Sequence, residues 1–181
     1  MNHVFVLEEI GKDEEHNAVI KERRNGQGAE VAGVTVEGKV AYLSLVQLQA
    51  GVTWQKSHYT RPEKWSKDSS VPAEKRIFRT PDWYGYFTAT YSPVKPLNIA
   101  LSGTYTGSMI VQHMKGYIPK DIAVTTPDFF DMNLKISYDF SLYKFITLQL
   151  NAGIQNIFNA YQRDFDQGKE RDSGYIYGPS M

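Results

Sequence analysis

The chain has 181 residues, enough for one ordinary domain, and carries 20 Lys plus Arg against 20 Asp plus Glu, a balance that offers no net field to a polyanion and makes nucleic acid an unexpected partner. It has no Cys, which excludes disulfides, thiolate metal sites and Cys nucleophiles. Its mean hydropathy of −0.43, with no apolar run of about 20 residues, excludes a transmembrane helix but not a transmembrane strand, whose alternation halves its hydropathy.

Aromatics make up 13% of the chain, with 12 Tyr, a composition suited to strands. Residues 1–15 lack a basic segment followed by an apolar one, so they do not read as a secretory signal. Residues 4–10 predict a short strand closed by the polar run 11–17, and residues 18–20 a second extended piece. The basic cluster at 21–26 reads as a solvated loop.

Regular alternation begins at Glu30, where Val31, Gly33, Thr35 and Glu37 oppose Ala32, Val34, Val36 and Gly38. Residues 42–59 predict a long strand with Val46, Leu48, Ala50, Val52 and Trp54 on one face and Gln47, Gln49, Gly51, Thr53 and Gln55 on the other. A strand of about 14 residues spans roughly 45 Å, well beyond the usual globular strand of about six residues. Residues 58–81 then form a polar loop carrying Trp65, and a loop of that length without periodicity is functional or mobile.

Residues 84–91 and 97–106 predict strands joined by a tight turn at 92–96. Residues 109–127 make another long connection. In the strand at 129–140, Met132, Leu134, Ile136, Tyr138 and Phe140 oppose Asn133, Lys135, Ser137 and Asp139, and a short link at 141–144 follows. The segment TLQLNAGIQNIFNAY, residues 147–161, sets Leu148, Leu150, Ala152 and Ile154 against Thr147, Gln149, Asn151, Gly153 and Gln155 before breaking into a charged loop.

Two architectures satisfy these alternating faces: a soluble sandwich, with the apolar face between sheets, or a transmembrane barrel, with that face in lipid. Long and short connections alternate, a sorting expected of a barrel. Trp54, Tyr59, Tyr84, Tyr91, Tyr138, Phe140, Phe145 and Phe158 fall towards strand ends, as girdles do. The expected fold is therefore all-β, an antiparallel up-and-down meander of about seven strands forming part of a transmembrane β-barrel. Leu48, Trp54, Leu134, Tyr138, Phe140, Leu148, Leu150 and Ile154 are expected to face lipid, and Gln47, Gln49, Lys135, Asp139, Gln149 and Asn151 the lumen. In the alternative, a sandwich binding module or adhesin, the polar set is ordinary outer surface.

Asp164, Asp166 and Gly168 invite a calcium reading, but the Gly falls one position early for an EF-hand loop, and Glu170 and Asp172 do not supply the bidentate ligand. A salt-bridge cluster with Arg163, Lys169 and Arg171 is the expected arrangement, and no metal site. His3, His16, His58 and His113 show no paired spacing and read as solvated. No Gly-x-Ser-x-Gly or comparable nucleophile motif occurs, so neither an enzyme nor a cofactor is expected.

Residues 150–161, ending in Gln155-Asn156-Ile157-Phe158-Asn159-Ala160-Tyr161, resemble the penultimate barrel strand of TonB-dependent outer-membrane receptors. Residues 164–179 are similar to the last extracellular loop in a subgroup of those receptors. Gly38, Leu48-Gln49-Ala50-Gly51, Gln55-Lys56-Ser57, Arg79-Thr80-Pro81 and Tyr84-Gly85-Tyr86-Phe87 extend the likeness over nearly the whole chain.

The resemblance implies a barrel of about 22 strands with an N-terminal plug, in the outer membrane of a Gram-negative cell, driven by the TonB complex. Its implied cargo is a scarce small molecule, a metal chelate such as a ferric siderophore, or a corrinoid. Glycan import, with Trp65 stacking on sugars, and a passive porin are the other transport readings. Ligand contacts are expected on extracellular loops at His58, Trp65, His113, Arg163, Asp164, Asp166 and Arg171. Signal peptide, plug and TonB box are not recognisable here, and the sequence stops where the family continues into a final strand. Residues 1–181 thus read as the C-terminal part of a receptor barrel, meeting plug and TonB complex through the full-length protein.

Overall fold

A computed structural model describes residues 5–13, 18–25 and 28–179. His3 and His16 lie outside the described residues. Within them the chain is built from strands, with no helix, and the sheets are antiparallel. Strands β1 (Phe5–Asp13) and β2 (Ala18–Asn25) make a hairpin of their own. The basic cluster expected to be a loop is therefore strand as far as Asn25, with Lys21, Glu22, Arg23 and Arg24 opposite Glu9, Glu8, Leu7 and Val6. Ladder hydrogen bonding to β1 outweighs the local polarity that suggested a loop.

β3 (Ala29–Tyr42) and β4 (Val46–Glu63) form a long hairpin, and β5 (Glu74–Arg76) adds to the far end of β4. β6 (Trp83–Val94) and β7 (Leu97–Thr106) form a second hairpin, β8 (Ile110–His113) and β9 (Ile122–Thr125) a small separate one, and β10 (Phe129–Tyr143) and β11 (Ile146–Ile154) a third large one. Their spatial order, β3-β4-β6-β7-β10-β11, follows the chain. The expected up-and-down meander is present as an open sheet.

Several boundaries move from their expected places. The residues expected to begin the long strand split, because Leu43, at φ 52°, turns the chain between Tyr42 and Val46. At the other end β4 runs on to Glu63, past the start expected for the polar loop. Thr60 donates from both its amide and its hydroxyl to the Gly28 carbonyl, at 2.7 and 2.9 Å, and so extends the pairing. His58 consequently sits on a strand. β6 and β10 likewise continue to Val94 and Tyr143 through register shifts that leave turns of two residues. The connection at 109–127 contains the β8–β9 hairpin, whose four-residue strands are too short to show a period.

Register fixes which side chains share a face. Following the pairs Gly38↔Ala50, Ala50↔Phe87, Phe87↔Gly103 and Gly103↔Met132 across the ladder sorts the whole sheet. One face carries Val34, Val36 and Val40 of β3, Leu48, Val52 and Trp54 of β4, Phe87 and Tyr91 of β6, Ile99 and Leu101 of β7, Leu134, Ile136 and Phe140 of β10, and Leu148, Leu150 and Ile154 of β11. No charged residue interrupts it between these positions. Glu37, Lys39, Asp131, Lys135 and Asp139 all lie on the other face, among Gln, Thr, Ser and Asn.

The polar face is tied across its strands. Tyr86 donates its hydroxyl to Glu37 at 2.7 Å and accepts from Gln49 at 3.2 Å, while Ser137 donates to Asn151 and Gln149 to Asp139, each at 2.8 Å. A recess of about 850 Å³ opens there between Thr88, Ser102, Asn133, Lys135, Asn151 and Gln155, so the polar face is the hollow side. The apolar face is bare: Val36 is 63% exposed and Leu150 54%, and no second sheet lies over it among the described residues.

The tips of the three large hairpins step along the sheet. The first closes with Tyr42↔Val46, which the ladder carries to the level of Ile136, whereas the third closes beyond Phe140 with Tyr143↔Ile146. A step of about six residues over about four strand spacings, at ~3.3 Å and ~4.8 Å each, inclines the strands by roughly 45° to the line of tips.

Candidate functional site

The two long connections, residues 64–82 and 107–128, and the segment after the last strand, residues 155–179, all leave the sheet at the end opposite the tight tips, and most of the buried core lies among these three loops. Met109, Val111 and Tyr175 form its centre, with Val124 and Tyr177 packed against it. A sheet polar on one face and uncovered on the other buries little, so the loops supply what interior there is.

The turn into the last loop explains the Asn-Ile-Phe-Asn motif. Asn156 and Asn159 have φ of 49° and 52°, a left-handed conformation that Asn tolerates better than most residues. The Asn156 side chain accepts from the Ala160 amide at 2.8 Å and donates to the Ala160 carbonyl at 2.9 Å, closing the bend. The Ile157 amide still donates to Met132, and the Phe158 ring lies 5.8 Å from that of Phe130.

Beyond it the chain folds back under Tyr175 and Tyr177. Both hydroxyls donate to Asp164, that of Tyr175 at 2.7 Å. Gln162, 1% exposed, donates to the Tyr175 carbonyl and accepts from the Tyr177 amide, each at 3.0 Å. Burial raises the Asp164 carboxyl, but the hydroxyls of Tyr177 and Tyr175 more than offset it, and the net shift is downward. Burial and the bond to Asp164 push the Tyr177 hydroxyl up to about 12 and that of Tyr175 further still.

The loops are also fastened to one another. His113 is 6% exposed, its ring stacks on Tyr175 at 3.7 Å, and its Nε2 lies 2.9 Å from both oxygens of Asp166. A carboxylate only accepts, so Nε2 carries the proton. Asp121, 5% exposed, accepts from the Ser66 hydroxyl at 2.5 Å and the Lys115 amide at 2.7 Å, and these two bonds hold its carboxyl below its usual range. Arg79 donates through its guanidinium to the carbonyls of Ile176, at 2.7 Å, and Gly174, while its amide donates to Ile110.

Arg79→Ala is therefore expected to loosen the last loop from the first, at a cost of about 1 kcal/mol for exposed charge-assisted bonds. Faster tryptic cleavage at Lys169 or Arg171, with the meander intact, is the expected readout. An unchanged cleavage rate would remove the clamp from the account.

The depressed carboxyls give a pH dependence of definite sign. Asp164 and Asp121 fall below the ordinary carboxylate value of 3.8, so their stabilisation is present above that value and is lost as pH falls through their lower folded values. Amide exchange in residues 162–177 is expected to stay slow at pH 5 and to accelerate below about pH 3.8 more than exchange in the meander. Equal acceleration in both regions would contradict this assignment.

The expected ligand residues divide. His113, Asp164 and Asp166 come together in the cap, where their polar groups are used internally; His113 is not the solvated loop residue expected. Asp164 and Asp166 do not pair with Arg163, Lys169 or Arg171 but with Tyr175, Tyr177 and His113, because buried neutral donors answer a carboxylate at shorter reach than flexible exposed cations. Trp65 donates its indole N–H to the Pro72 carbonyl at 3.1 Å and meets Phe78 edge-on at 5.3 Å, so it braces its own loop. His58 stands apart beside Glu30, at 3.3 Å, and Arg171 is exposed on the last loop.

Arg163 lies over the Tyr161 ring at 5.5 Å and, with Phe129, Phe158, Tyr161, Asp164 and Tyr177, lines a recess of about 520 Å³ at the base of the cap. This aromatic hollow, which holds one cation, Arg163, and two carboxylates, Asp128 and Asp164, suits a mixed apolar and polar small molecule. Among the described residues no three His, Asp or Glu are grouped to hold a metal ion. Sequence reasoning gave no site role to Tyr175, Tyr177, Gln162 or Asp121. The Tyr175-Ile176-Tyr177 alternation was the available signal, and Arg79 figured only in the resemblance.

No protein-family model matches the chain, and no curated protein matches it closely.

Proposed function

We propose that the chain is a wall segment of a TonB-dependent outer-membrane receptor importing a scarce small molecule, a metal chelate such as a ferric siderophore, or a corrinoid. The observation that carries this reading is the sorting of the meander: from the tight tips as far as Trp54 the apolar face is uninterrupted and bare, and Glu37, Lys39, Asp131, Lys135 and Asp139 lie on the hollow face. In water such a face is a liability; in a bilayer it is the required outer wall. The inclination of roughly 45° lies at the upper end of the range for barrel strands. Short tips at one end and long loops at the other complete the layout.

On this reading the cap faces outward and offers its aromatic recess to the ligand, while the hollow face meets the plug of the full-length receptor. Energy reaches the segment through that plug from the TonB complex. The chain is expected to aggregate in plain buffer and to acquire protease-resistant strand structure in detergent micelles or lipid vesicles. A monodisperse, cooperatively folded species in buffer alone would refute the membrane reading.

A further inference from the structure

Charge returns to the apolar face at one place, directly beyond the Trp54–Trp83 pair, whose rings lie 6.3 Å apart and which are 40% and 50% exposed. Lys56 follows Trp54 on the same face of β4, opposite Ala32, and His58 follows Lys56, opposite Arg76 of β5. Paired residues present their side chains to the same side of a sheet, so register sets Lys56 one step above the two indoles and His58 with Arg76 one step beyond Lys56. Lys56 and Arg76 are exposed, and neither side chain has an acidic partner among the described residues, although the Arg76 amide donates to the Glu74 carboxylate at 3.0 Å. Two acids lie nearby on this face: Glu30 is engaged by His58 at 3.3 Å, and Glu74 accepts from the amides of Lys75 and Arg76 at 2.9 and 3.0 Å.

We propose that Lys56 and Arg76 form a binding site for the phosphate of an anionic lipid headgroup at the long-loop end of the wall, with Trp54 and Trp83 against the glycerol and upper acyl chain. The inference rests on the membrane reading and adds to it a preference among lipids. Indole rings settle at the boundary between hydrocarbon and headgroup, which puts Lys56, about 7 Å further along an extended strand, and Arg76, about 13 Å further, on either side of phosphate depth, where their long side chains converge. Two unpaired cations at that depth attract phosphate, while an apolar face without charge below them gives the acyl chain nothing to avoid. A sandwich or a lumen-facing surface gives no reason for unpaired cations to start where the indoles end.

Two brominated lipids supply the test, because bromine on the acyl chains quenches indole fluorescence only on close approach. The full chain is folded into phosphatidylcholine vesicles containing a minor fraction of either brominated phosphatidylglycerol or brominated phosphatidylcholine. At equal mole fraction the phosphatidylglycerol is expected to quench about threefold more effectively, within the range that one or two cation contacts supply. In the Lys56→Gln/Arg76→Gln double variant the two lipids should become equivalent. Millimolar inorganic phosphate should leave the preference in place.

Equal quenching by the two lipids in the wild-type chain overturns the headgroup site while leaving the membrane reading standing. Absence of quenching by either lipid overturns the membrane reading itself. A preference that survives in the double variant assigns the contact to other residues, and one abolished by free phosphate shows a general anion site; each of these outcomes rejects the proposal. The exposed positions of Lys56 and Arg76 keep folding from deciding the result, and protease resistance of both proteins in pure phosphatidylcholine checks it.

Discussion

Leu134→Arg is expected to destabilise the folded chain in a bilayer by roughly 2–4 kcal/mol, the cost of a cation placed near the midplane on the lipid side of a barrel strand. Leu134 is paired with Leu101 on one side and Ile154 on the other, half-way between the aromatic ends of the apolar face. The neighbouring Lys135 is exposed on the hollow face, opposite Ala100 and Gly153, and Lys135→Ala is expected to stay within about 0.5 kcal/mol. Equilibrium unfolding from phosphatidylcholine vesicles by urea compares the two. Adjacent residues of one strand that respond alike would deny the assignment of faces, and with it the barrel wall.

The second large effect belongs to the cap. His113→Ala removes a ring stacked on Tyr175 and leaves the Asp166 side chain, 3% exposed, without its main donor. The Asp172 amide still donates to Asp166 at 3.0 Å, but a buried carboxylate that loses its partner typically costs roughly 3 kcal/mol or more. Since β8, the last loop and the Met114–Asp172 contact meet at this point, the loss should spread through residues 109–126 and 162–177 and spare the meander. Amide exchange resolved by residue is the measurement. Uniform acceleration across sheet and cap would show one cooperative unit in place of two, and no acceleration would show that the pair contributes little.

The two predictions separate two kinds of stability in one chain. The meander holds by ladder hydrogen bonds and, on the proposed reading, by lipid on one face. The cap holds by its own small interior of Met109, Val111 and Tyr175 and by the carboxylates that fasten it. A ligand entering the aromatic recess around Arg163 and Tyr177 would therefore act on the cap without disturbing the wall.

Most of the meander was legible because its period is two residues: Leu148, Leu150 and Ile154 against Gln149 and Asn151 assign themselves to faces once the segment is extended, and the register agrees at these positions. Turns blurred the boundaries, since Leu43 adopts a left-handed φ with no Gly or Asn to announce it. The basic cluster after Ile20 failed for a related reason: polarity speaks for a loop, but the partner strand that makes it a ladder lies earlier in the chain. The aspartates at 164 and 166 stood out in the sequence, but their partners were misjudged. Sequence distance favours Arg163 and Lys169, whereas the fold brings Tyr175, Tyr177 and His113.

By itself the sequence determined an all-β antiparallel meander with one oily and one wet face, because side-chain alternation is a local property of an extended chain. Tertiary structure alone decided that the oily face stays uncovered among the described residues, that the hollow lies on the wet side and that the loops lock through Arg79, His113 and Asp121. Each of these depends on groups many residues apart meeting in space, and no local period encodes such a meeting.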